Sequence, residues 1–217
     1  MEFVIGGVSA LMDARFAAAA GTERVVLFPW TSQAHTIPGI DPPREATGEP
    51  EGPGAEILKE ALAVWNEIKG WVSGPEIWLA APWPYLTLAL KAFDTFDDCC
   101  GIMVNAGQPS EPTLLQHPPF EIPPRIPYAV NYSLGAPGTA HLWTAQHPPD
   151  WVVMVPTLIH SLSPDAGTLR YLCVEDLREV TVWRKAQDLP PIAGIYLQAD
   201  ATKATDYEVW QEIIDAL

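Results

Sequence analysis

The chain reads as an α/β protein, a (β/α)8 barrel. Three observations predict it. Short apolar runs alternate with helical patterns along the whole length, eight strand-then-helix pairs can be placed in 217 residues, and the first thirty residues already hold a complete strand–helix–strand unit. An open doubly wound sheet has no need of eight repeats.

The opening unit is FVIGGVSALMDARFAAAAGTERVVLFPW, Phe3 to Trp30. Phe3 to Ile5 reads as a strand ended by Gly6-Gly7. Ser9 is the expected helix cap, and Asp13 suits the positive end of the dipole. Ala10, Leu11, Ala14, Phe16, Ala17 and Ala18 supply the apolar face, Gly21 stops the helix, and Arg24 to Phe28 is the second strand. Two buried strands joined through a helix form a right-handed βαβ unit, the element of a parallel sheet.

The alternation continues. Residues 54–73 carry Ile57, Leu58, Ala61, Leu62, Trp65, Ile68 and Trp71 at helical spacing. Glu76 to Ala81 is the third strand, Tyr85 to Phe96 a helix, and Cys99 to Val104 the fourth strand. Residues 108–127 are proline-dense and hold at most a helical turn. Strand five is Tyr128 to Tyr132, a short helix spans Thr139 to Gln146, and strand six is Trp151 to Val155. Strand seven covers Arg170 to Val174, Asp176 caps a helix over Leu177 to Gln187, Ile192 to Leu197 is strand eight, and Tyr207 to Leu217 is the last helix. The thin fourth to sixth connections predict an uneven barrel there. The whole chain, 1–217, is expected to be one domain, with a Pro/Gly/Glu-rich loop at 33–54 after strand two that reads as a lid, a binding loop or disorder.

Composition bounds the function. The formal net charge is −15, and the twelve basic residues are scattered singly, which argues against a nucleic-acid partner. No apolar run reaches the ~18 residues of a membrane span, and no basic region precedes an apolar stretch at the start, so a cytoplasmic location is expected. The three cysteines are expected as buried, reduced thiols with no metal spacing, and no cofactor is expected. No phosphate loop, dinucleotide fingerprint or nucleophile-elbow pattern occurs.

Several segments resemble the phosphoribosylanthranilate isomerase family of tryptophan biosynthesis. VSALMDARFAAAAG is similar to that family's first helix, VVLFPWTS to its second strand and following loop, and EIKGWVSGPEIWLAAPW to its second helix and third strand. GIYLQADATKATDYEVWQEIIDAL resembles its strand eight and final helix, which Asp206 opens. The resemblance implies a (β/α)8 barrel and an Amadori rearrangement of an aminoaldose, which requires a general base and a general acid. In the family the base is a Cys ending strand one, and here Gly6 stands in its place. The acid is an Asp ending strand six, and here that position is Pro156, or Thr157 with a one-residue slip. The family's Ser-Pro-Arg after strand two reads Ser32-Gln33-Ala34, and its strand-four His is Asn105. Its Gly-rich phosphate turns after strands seven and eight are Glu175-Asp176 and Gln198-Ala199-Asp200. A carboxylate ~4 Å from a phosphate charge costs on the order of 4 kcal/mol at an effective dielectric near 20.

The remaining candidates for the barrel mouth are Trp30, Trp83, Asn105, Asn131, Thr157, His160, Glu175 and Asp200, with Ser133 and Asp176 beside them. Glu175 with Asp200 is a candidate acid/base or cation-binding pair, the alternative being that Asp176 caps a helix and the other two are solvated. His160 is a candidate base or an ordinary loop histidine. Trp30 and Trp83 are a candidate aromatic wall or plain packing. Two functions follow: an isomerase-like barrel with altered chemistry, or a non-catalytic member that binds a small molecule or a protein, as a monomer or a homodimer.

Overall fold

The computed structural model describes residues 2–30, 53–82, 85–105, 122–133, 148–155, 167–185, 191–199 and 204–217. Within them eight parallel strands close into a barrel in sequence order. The strands are β1 (Glu2–Val8), β2 (Arg24–Leu27), β3 (Glu76–Ala81), β4 (Cys99–Asn105), β5 (Tyr128–Asn131), β6 (Trp151–Met154), β7 (Leu169–Cys173) and β8 (Gly194–Gln198). The helices are α1 (Leu11–Ala20), α2 (Pro53–Lys69), α3 (Leu86–Lys91), α4 (Leu177–Lys185) and α5 (Tyr207–Asp215). Closure runs through β1 on β8, with Val4 opposite Tyr196 and Gly6 opposite Gln198. The strand ladder is continuous around the expected weak sector, β4 to β7. The helix expected at 139–146 and most of the loop at 33–54 lie outside the described residues.

Strand period two sorts the core into two layers. One face of each strand packs against the helices, as Ile5, Leu27, Leu79, Val104, Val130, Val152, Leu172 and Leu197 do. The other face fills the barrel with Val4, Val26, Trp78, Ala80, Met103, Ala129, Trp151, Val153, Tyr171, Cys173 and Tyr196. At the amino-terminal end Arg24 closes this interior. Its guanidinium meets Glu76 at 2.8 Å and Glu2 at 3.2 Å, and it lies over the rings of Trp151 and Tyr171. The Tyr171 hydroxyl donates to the Glu2 carboxylate, so residues of four strands share one polar seal.

Several local expectations are corrected. β1 runs through Gly6 and Gly7 to Val8: Gly6 pairs with Gln198 on β8, and the two glycines form the irregularity against β2 between Ile5 and Val8. The cap of α1 is Ala10 with no side-chain hydrogen bond, so Ser9 does not cap it. Gly21 does end that helix, in the left-handed conformation at φ 76°. The segment read as one helix from 85 to 96 is α3 followed by a 3-10 turn, Phe93–Thr95. Cys100 is exposed rather than buried, because the register shift between Ile77–Cys99 and Trp78–Gly101 leaves it as the extra residue of a bulge.

Asp13 does more than meet a helix dipole. It is buried, and its Oδ1 accepts from the hydroxyls of Thr205 and Tyr207, each at 2.7 Å. Phe16 stacks on Tyr207 one turn further on. The first helix is thereby fastened to the last, across the seam where the chain ends meet. Asp13→Ala removes a buried charged acceptor of two hydroxyls, so we expect a loss of about 2–4 kcal/mol in urea unfolding, where buried hydrogen bonds to charge are worth about 1.5–3 kcal/mol each. A change within about 0.5 kcal/mol, the range of an ordinary surface substitution, would contradict the clasp.

Candidate functional site

In this fold chemistry sits at the carboxyl ends of the strands. The inward-facing described residues there form a neutral polar layer. Asn131, ending β5, is fully buried, and its Oδ1 accepts from the Ser133 amide at 2.9 Å and the Ser133 hydroxyl at 2.5 Å. Its Nδ2 points to Gln198 Oε1 at 3.4 Å, and Gln198 Nε2 donates to the Ala199 carbonyl at 2.7 Å. Cys173 lies beside Ser133. Burial pushes its thiol up to about 11, the hydrogen bond with Ser133 opposing that rise.

Beneath this layer Tyr196 crosses the barrel. Its hydroxyl donates to Met103 Sδ at 3.5 Å and meets the Asn131 side chain. Burial holds that hydroxyl well above its ordinary value, with Cys173 adding to the rise and Asn131 opposing it. A Cβ built on Gly6 would fall on the Tyr196 hydroxyl and ring. Gly6 is therefore a glycine because a side chain from β8 already fills its space.

The turn from β7 into α4 is the second feature. Asp176 Oδ1 accepts from the amides of Arg178 at 2.8 Å and Glu179 at 3.0 Å, which caps α4. Glu179 reaches back, its Oε2 accepting from the Glu175 amide at 2.7 Å. Three backbone amides that would otherwise face an incoming anion are held by the chain's own carboxylates.

The expected residues separate as follows. Asn131 lies in the mouth, and Glu175 is exposed at its rim. Asn105 ends β4 in register with Asn131. Trp30 is not part of an aromatic wall. It is buried in the outer layer, stacks on Tyr85 with centroids 4.9 Å apart and donates from Nε1 to the Ala80 carbonyl at 2.6 Å. Its indole is large enough to bridge β2 and α3, and that burial outweighs a rim position. Trp83, Pro156, Thr157, His160 and Asp200 lie outside the described residues. Reading the sequence missed Tyr196 and Glu179, and it placed Gln198 only in the turn where the resemblance puts a phosphate site. The signals were present: Gly194, Tyr196 and Gln198 alternate on one face of a strand, and Asp176 with Glu179 has the spacing of a capping box.

No protein-family model matches the chain, and no curated protein does. Solved structures do. The phosphoribosylanthranilate isomerase of Thermotoga maritima, in a monomeric form of that dimeric protein, superposes with a TM-score of 0.55 and 16% identity, over 99% of this chain and 97% of that one. A protein from Burkholderia cenocepacia described as a phosphonomutase gives 0.50 and 11% identity, over 99% and 90%. These likenesses show a (β/α)8 barrel. Among the described residues, no helix is long and apolar enough to cross a membrane.

Two outcomes follow from this geometry. Burial raises the hydroxyls of Tyr132 and Tyr207 to about 12 from an ordinary value of 10.0, with Asp13 adding to the rise at Tyr207. A raised phenol keeps its proton in the folded state, so its contribution is complete below the unfolded value and is lost as pH climbs through the folded one. Stability is expected to fall between pH 10 and about 12, with tyrosinate absorbance appearing together with unfolding. Full tyrosinate absorbance in a still-folded protein near pH 10.5 would contradict the burial. At the α4 turn, Asp176→Ala should cost about 1 kcal/mol, as loss of a helix cap does. Calorimetric titration of the intact protein with inorganic phosphate should give no binding heat, and saturable binding would contradict the occupied turn.

Proposed function

We propose that this chain is a phosphoribosylanthranilate isomerase-like barrel that does not perform the Amadori rearrangement, and whose mouth binds a small uncharged molecule or a protein partner in the cytoplasm. The observation that carries the reading is the turn after β7. There the amides of Glu175, Arg178 and Glu179 already serve the carboxylates of Asp176 and Glu179. A phosphate approaching this turn would have to displace two like-charged groups before reaching any of these three amides. The sequence adds that neither proton-transfer position offers the family's group: Gly6 has no side chain, and the acid position is Pro156, which has no proton to give, or Thr157, whose hydroxyl is a far weaker acid than a carboxyl.

Chemistry at the described inward-facing mouth residues is weak for proton transfer near neutral pH. Asn131 and Gln198 are amides, and the Cys173 thiol is raised to about 11 by burial, against the ordinary depression of a reactive cysteine. What these groups can do is bind. They offer a neutral array of donors and acceptors, already ordered by one another, to a ligand that bears no phosphate.

The test is an isomerase assay of the purified chain with phosphoribosylanthranilate, accompanied by growth of a tryptophan auxotroph that lacks the isomerase. We expect no turnover above the uncatalysed rate and no rescue. Turnover in the usual enzyme range, about 1 s⁻¹ or faster, would overturn the proposal.

A further inference from the structure

The geometry points to Tyr196 as the residue that sets how far into the barrel a ligand can reach, by closing the space at the end of β1 and raising the floor of the mouth to the level of Asn131 and Gln198. This rests on the reading of the mouth as a binding site, but the steric part stands on its own.

The Tyr196 side chain starts on β8, passes the inward face of Gly6 on β1 and places its hydroxyl against Met103 on β4 and Asn131 on β5. One ring thus touches four strands and lies across the barrel. Below it the interior is aromatic: Trp78 meets Trp151 edge-on at 5.1 Å, and Trp151 meets Tyr171 edge-on at 5.5 Å. Above it stand the amides of Asn131 and Gln198 with Ser133, while Cys173 lies opposite Tyr196 in the ladder and is buried. A ligand descending from the mouth therefore stops at neutral hydrogen-bonding groups. It cannot enter the volume beside Gly6, where the resemblance places a reactive thiol.

The closure is reciprocal. Any side chain at position 6 collides first with the Tyr196 hydroxyl and next with the ring carbon that bears it. A collision with the far end of a side chain is relieved when that end is removed. Tyr196→Phe deletes the first colliding atom and keeps the ring, whereas Tyr196→Ala clears the path altogether. Cys173, opposite Tyr196 in the ladder and buried, is a native reporter of that path.

Two measurements test the inference. Gly6→Ala is made in the wild-type background and in Tyr196→Leu, which lacks the hydroxyl and both ring carbons that crowd Gly6, and melting temperatures are compared. We expect Gly6→Ala to lower Tm by at least about 4 °C more in wild type than beside Leu, as overpacking of a full core does. Second, alkylation of Cys173 by iodoacetamide in the folded protein is followed by peptide mass. It should be within about twofold of wild type in Tyr196→Phe and about tenfold faster or more in Tyr196→Ala, as access and thiolate fraction rise together. Equal Tm losses in both backgrounds would overturn the inference. So would unchanged Cys173 labelling in a folded Tyr196→Ala protein. If Tyr196→Ala does not fold, the Gly6–Tyr196 comparison decides alone. Isomerase turnover by the wild-type chain would remove the binding reading and leave the outcome of that comparison standing, so the two failures are distinguishable.

Discussion

The inside of an eight-stranded barrel holds a fixed volume, and in this chain aromatic rings take most of it. Trp78, Trp151, Tyr171 and Tyr196 all point inward, more bulk than the aliphatic layers usual in the fold. Close packing then dictates the small residues beside them. Gly101 faces the six-membered ring of Trp78, Gly6 faces the Tyr196 ring and hydroxyl, and Gly194 lies against the backbone of Glu2. The glycines and the rings are one solution to one packing problem. The polar ends follow from the same constraint, since each buried hydroxyl or cation needs a partner. Arg24 and Glu2 answer Tyr171 at one end, and Asn131 and Met103 answer Tyr196 at the other.

That constraint also bears on the chemistry proposed for the mouth. A reactive group at the end of β1 needs an open space in front of it, and here the space is full: with Tyr196 in place, no residue larger than glycine fits at position 6 without movement. The turn after β7 is built in an independent way. There the sequence supplies carboxylates at a helix start, and the helix takes them as caps, which strengthens α4 while removing donors from any anion. Two separate local solutions, one steric and one electrostatic, underlie the proposed reading of the mouth.

Most of the fold was legible because strand and helix periods are local properties of the chain. Leu79 to Ala81, Val25 to Leu27 and Tyr128 to Asn131 declare themselves as apolar runs, and Gly21 marks the end of its helix. Boundaries failed where a tertiary neighbour decided them. Gly6-Gly7 reads as a turn until Gln198 and Ala199 are laid beside it and continue the ladder. Ser9 looks like a cap, yet Ala10 takes that position. The site was less legible for the same reason. Trp30 could be placed at a rim from its position after β2, but only the nearness of Tyr85 and the Ala80 carbonyl shows it turned into the outer core. Tyr196 was invisible as a site residue because its meaning depends on Gly6, some 190 positions away in the chain and adjacent in the barrel.

The central claim is that the Tyr196 ring lies against Gly6 and crosses the barrel. Proton–proton Overhauser spectroscopy on the folded wild-type chain, with Tyr and Gly selectively labelled, measures this contact directly. The account predicts strong cross-peaks from the Tyr196 ring to the Gly6 α-protons and to the Met103 methyl group, with a hydroxyl proton slow to exchange. Absence of those cross-peaks, together with a freely exchanging hydroxyl, would place the ring elsewhere and leave the end of β1 open.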